Sequence, residues 1–112
     1  MAGAKTFDLV IVGASFAGLS CARTAALRGL SVAVLDKKPE PGARVRTTGI
    51  LVKEATDDFD VPARLTRKVR GVRLYAPSGR SVDLSAPGYY FQATDTPELL
   101  RWMAGEAQLA GS

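Results

Sequence analysis

At 112 residues, with 46% hydrophobic and 23% charged side chains, the chain is one domain's worth of ordinary globular material, which excludes wholesale disorder. Its net charge of +4 comes with a basic cluster at Arg64, Arg67, Lys68, Arg70 and Arg73; without interleaved stacking aromatics this reads as a solvated face and argues against nucleic acid. Apolar runs such as 7–12 and 30–35 fall far short of the ~20 residues a membrane span needs, and the N-terminus is a poor secretory signal, so no integral membrane segment and a cytoplasmic location are expected.

The run 7–12 is apolar and rich in β-branched residues, which predicts a buried strand that Gly13 stops. From Phe16 to about Arg28, Ala17, Leu19, Ala22, Ala25, Ala26 and Leu27 suit a helix with small packing positions, and Gly29 is placed to end it. Cys21, the one cysteine, lies inside that helix and reads as a small buried packing residue. Residues 30–35 repeat the buried-strand pattern, so 7–36 should form a right-handed βαβ unit with parallel strands. Pro39, Pro41 and Gly42 mark a loop, and 44–54 has mixed character that assigns to no element.

Further on, 68–75 alternates apolar and polar residues and should pair with 81–84 as a hairpin across Pro77-Ser78-Gly79-Arg80. Residues 88–93 suggest one more strand, and Thr96-Pro97-Glu98 opens a helix running to about 109 or 110. The fold class is therefore α/β: a Rossmann-like βαβ unit, a small antiparallel β segment over about 67–93 and a C-terminal helix, together an incomplete doubly wound domain over 1–112. Two parallel strands leave sheet edges open, so either a partner chain or a further C-terminal part of the protein is expected to complete the sheet.

The chemistry sits in Gly13-Ala14-Ser15-Phe16-Ala17-Gly18, which follows a strand and opens a helix. Gly13 permits the tight turn, peptide N–H groups from Ser15 through Phe16 to Ala17 can face a pyrophosphate, and Gly18 lets helix and strand approach closely. Asp36, at the end of the second strand, stands where an acid can accept hydrogen bonds from an adenosine ribose and disfavours a 2′-phosphate. Ser15 replaces the second glycine of the usual fingerprint, which weakens the phosphate site or supplies a hydroxyl donor. The plain structural alternative is a βα turn with no dinucleotide.

The stretch 8–19 together with Val32-Ala-Val-Leu-Asp36-Lys37-Lys38 resembles the start of the FAD-dependent oxidoreductases of the geranylgeranyl reductase and p-hydroxybenzoate hydroxylase type. The resemblance implies FAD rather than NAD, held at residues 13–18, Asp36 and Lys37. More weakly it extends over 40–50, implying an arginine on the FAD phosphates or ribityl chain, Arg44 first and Arg46 second, and Thr47, Thr48 and Gly49 near the isoalloxazine. It implies an oxidoreductase or monooxygenase-like enzyme in which flavin carries electrons from NAD(P)H to a small organic substrate or to oxygen, with this chain matching only the first quarter to third of such a protein. Tyr89, Tyr90 and Phe91 read as core packing ahead of pocket lining. No catalytic acid, base or nucleophile is identified, there is no histidine, and no metal site is expected. A non-catalytic nucleotide-binding or interaction module, or an inactive fragment, is the competing expectation.

Overall fold

A computed structural model describes residues 4–112, which fall into two compact units: 4–46 with 96–112, and 47–95. In the first unit, β1 (Leu9–Val12) and β2 (Val32–Leu35) pair in parallel with Leu9 opposite Val32, and α1 (Phe16–Leu27) connects them. Asp8 and Ser31 fix this register just ahead of the strands: the Asp8 N–H donates to Ser31 Oγ and the Ser31 N–H to Asp8 Oδ2, each at 2.8 Å. The far end of α1 closes with Gly29 in the left-handed region at φ 89°, its N–H donating to the Ala26 carbonyl while the Leu30 N–H reaches back to that of Ala25.

The alanines set how closely this unit packs. Ala22, Ala25, Ala26, Val32 and Ala107 form one buried cluster, with Leu9, Ile11, Val34 and Ala110 against it. Two alanine-lined helix faces can approach more closely than leucine-lined ones, and α1 accordingly packs on the helix of residues 96–109. Leu99, Leu100 and Met103 on that helix are buried as well. The expected helix near 97–110 is thus present, beginning one residue earlier at Thr96. Cys21, expected inside, is exposed, although Ala25 one turn further along α1 is buried.

The second unit holds two small antiparallel sheets. β3 (Ile50–Val52) leads directly into the short helix α2 (Lys53–Asp58), and a 3-10 turn at Ala63–Leu65 precedes β4 (Thr66–Val69). β5 (Gly71–Tyr75) and β6 (Ser81–Ser85) form the expected hairpin, with Val72 opposite Leu84. β7 (Phe91–Thr94) lies between β3 and β4, and α3 (Thr96–Leu109) then returns the chain to the first unit. The predicted single strand over 68–75 is divided: Lys68 pairs with Gln92, whereas Val72 pairs with Leu84 in the other sheet. The acidic run at Asp57 and Asp58 lies exposed on α2.

Candidate functional site

The turn after β1 is built for close approach. Gly13 sits at φ 111°, a conformation that side chains resist, and its N–H donates to the Leu35 carbonyl at 2.7 Å. A Cβ placed on Gly18 would lie 1.8 Å from the Gly13 carbonyl oxygen and 3.3 Å from a methyl of Ile11. Nothing larger than glycine fits there, so Gly18 is what allows α1 to start against the end of β1.

Ser15 is the N-cap of α1, with extended backbone and a side chain that makes no cap hydrogen bond. The first i to i−4 bond of the helix runs from the Leu19 N–H to the Ser15 carbonyl at 2.9 Å, so Phe16, Ala17 and Gly18 carry the N–H groups that a helix leaves unpaired at its start. No acidic side chain lies in that first turn. The positive end of the helix is left for an outside anion, and the exposed Ser15 hydroxyl stands beside it.

Asp36 closes the other side. Its Oδ2 accepts from the Ala14 N–H at 2.8 Å and its Oδ1 from the Lys38 N–H at 2.8 Å. The Ala14 bond first, then the Lys38 bond, hold the carboxyl below its ordinary range, so it is an anion at neutral pH. Each oxygen keeps a second lone pair, so a sugar hydroxyl can still be accepted from the solvent side. Lys37 beside it is exposed.

A cleft of about 300 Å³ opens next to this carboxylate, lined by Ala14, Val34, Asp36 and Pro39 on one side and by Leu100, Ala104 and Gln108 of α3 on the other. The contribution of α3 was not foreseen in the sequence, although its small residues Ala104 and Ala107, which line the cleft, are the kind of signal that marks a helix face approached closely by something else.

The loop 37–46 carries the two arginine candidates, both exposed. Arg44 adopts φ 51°, the one non-glycine residue in the left-handed region among the described residues, at a cost on the order of 1 kcal/mol. Thr47, Thr48 and Gly49 belong to the second unit. Thr47 and Thr48 are exposed, while Gly49 is buried: its N–H donates to Thr47 Oγ1 at 3.3 Å and its carbonyl accepts from the Thr94 N–H at 3.0 Å and from Thr94 Oγ1 at 2.7 Å. Among the described residues no cluster of metal-ligating side chains occurs, and no helix is long and apolar enough to cross a membrane.

The profile of the FAD dependent oxidoreductase family matches residues 8–111. A digeranylgeranylglycerophospholipid reductase of Methanosphaerula palustris is 32% identical over 109 residues, covering 90% of this chain and 27% of that protein. A geranylgeranyl diphosphate reductase of Rhodobacter capsulatus is 30% identical over 108 residues, with 95% and 27% covered. Among solved structures, a geranylgeranyl bacteriochlorophyll reductase-like protein of Thermoplasma acidophilum superposes with a TM-score of 0.82 at 28% identity, over 97% of this chain and 29% of that one. A flavin-dependent brominase at 19% identity and a TM-score of 0.64 shares the fold. The chain thus spans a little over a quarter of the length of the relatives it matches.

Proposed function

Because the chain belongs to the FAD-dependent oxidoreductase family, we propose that it supplies the ADP-binding portion of a geranylgeranyl reductase-like flavoenzyme that reduces an isoprenoid carbon–carbon double bond in a phosphate-bearing substrate. The observation that carries the cofactor assignment is Gly18: a position where a Cβ would lie 1.8 Å from a backbone oxygen makes a cradle whose helix N-terminus faces outward, the form a pyrophosphate needs.

In this reading the N–H groups of Phe16, Ala17 and Gly18 and the Ser15 hydroxyl bind the pyrophosphate. Asp36 accepts from the adenosine ribose, and the cleft between 34–42 and α3 takes the adenine. Lys37 and Arg44 add positive charge near the phosphates. Bound FAD would supply the redox chemistry, accepting a hydride from NAD(P)H and returning it to one carbon of the double bond, with a proton from water completing the other. The protein residues here orient and neutralise; none acts as acid, base or nucleophile. The substrate class rests on two relatives whose names both pair geranylgeranyl chains with a phosphate-bearing group.

Visible absorbance of the purified chain during FAD titration tests the cofactor assignment. The expected result is a saturable shift and sharpening of the flavin bands relative to free FAD, which Gly18→Val abolishes. A chain that binds ADP with no change in the flavin spectrum would identify a nucleotide-binding module instead.

A further inference from the structure

The second unit carries a charge arrangement that the FAD site does not use. Val52 and Val69 both lie opposite Phe91 in the β3–β7–β4 sheet. One step along these antiparallel ladders, Lys53 and Arg70 therefore flank Tyr90 from either side, and Lys68, opposite Gln92, shares the face of Tyr90 because side chains alternate. The side chains converge accordingly. Lys68 Nζ lies 4.5 Å from the Tyr90 ring centroid, the Arg70 guanidinium 5.8 Å and Lys53 Nζ 5.9 Å.

Three cations gathered on one half-buried ring repel one another, and cation–π attraction at a partly exposed ring is too weak to be the reason for gathering them. Among the described residues no carboxylate forms an ion pair with any of the three; the ion pairs there join Arg73 to Asp83 and Arg101 to Glu40 and Glu98. A sheet that holds three like charges round one ring with no counter-charge has the form of a receptor for a multiply charged anion, with lysines giving point charges and the guanidinium a fork that matches phosphate oxygens.

We propose that Lys53, Lys68 and Arg70, arranged round Tyr90, bind the phosphate end of the substrate. This deepens the substrate reading above and rests on it. The ladder register places the three cations on the Tyr90 face of the sheet, so that one anion can meet all of them. Tyr90, expected to pack in a core, would then be the platform of a binding site.

Calorimetric titration of the full chain with geranyl diphosphate and, separately, with inorganic pyrophosphate tests this, alongside the FAD absorbance titration on the same samples. The proposal expects geranyl diphosphate to bind, Lys68→Gln to weaken it roughly tenfold and the Lys68→Gln/Arg70→Gln pair roughly a hundredfold, with thermal melting and the FAD response unchanged. No binding of geranyl diphosphate, or equal affinity in wild type and both variants, overturns it. Equal affinity for pyrophosphate and geranyl diphosphate overturns the substrate assignment and leaves a site for free anions. Absence of the flavin response alone would sink the FAD reading while the phosphate site stood.

Discussion

The two units bury their apolar residues very differently. In 4–46 with 96–112, Leu19, Ala22, Ala25, Ala26, Val32, Leu99, Leu100, Met103 and Ala107 are buried, while among the described residues of 47–95 the one buried apolar side chain large enough to pack is Leu65. The β5–β6 hairpin makes the contrast plain. Val72, Leu74, Val82 and Leu84 share one face, with Arg73 and Asp83 paired bidentately on the other at 2.6 and 3.1 Å, yet Leu74, Val82 and Leu84 are each about half exposed. A two-stranded hairpin is marginal by itself. The unit of β1, α1, β2 and α3 carries its own core; the other is held mainly by strand pairing, and the apolar face of its hairpin remains open.

Substitutions of graded severity sharpen this contrast. Gly18→Val should have the largest effect, because its Cβ has nowhere to go: a loss of at least ~3 kcal/mol and of nucleotide binding, read by thermal melting and ADP titration. Ala22, fully buried between α1 and its neighbours, gives the next. Ala22→Leu should cost about 1–3 kcal/mol by overpacking, whereas Val82→Thr on the open hairpin should stay within about 0.5 kcal/mol. Equal losses at the two positions would erase the distinction between the units.

Two smaller effects probe the alanine-packed unit alone. A Cβ on Gly105 within α3 would meet nothing within 4 Å, so Gly105→Ala should raise stability by roughly 0.5–1 kcal/mol. The smallest effect is pH-dependent. The Asp36 carboxyl is held below its ordinary value of 3.8 by the Ala14 and Lys38 N–H groups. A carboxyl whose folded-state pKa is depressed stabilises the fold above the unfolded value and loses that contribution as pH falls through the folded one. Melting of Asp36→Asn should therefore fall below wild type at neutral pH, and the gap should close below about pH 3.8; a constant gap down to pH 2 would show that the charge has no part in it.

What the sequence made legible follows the same division. The β1–α1–β2 unit could be read because its signals are local: an apolar run, glycines at a turn, alanines at helical spacing. Parallel pairing follows from that alone, whereas the bond from the Ala14 N–H to Asp36 was not read there. Where structure depends on distant partners the reading failed. Ile50–Val52 is a three-residue strand that exists because β7, some forty residues on, pairs with it. Residues 68–75 look continuous, yet Arg70 marks a change of partner from β7 to β6. The same limit hid the α3 wall of the cleft beside Asp36 and the gathering of Lys53, Lys68 and Arg70 on Tyr90, since in both the residues that meet are far apart in the chain.

The most direct test of nucleotide binding by the alanine-packed unit is amide chemical-shift mapping of the isotope-labelled chain during ADP titration. Saturable shifts should concentrate at residues 13–18, at Asp36 and Lys37, and on the α3 wall at Leu100, Ala104 and Gln108, with residues 66–85 unmoved. Shifts confined to residues 47–95, or none at residues 13–18 while ADP binds, would contradict the assignment.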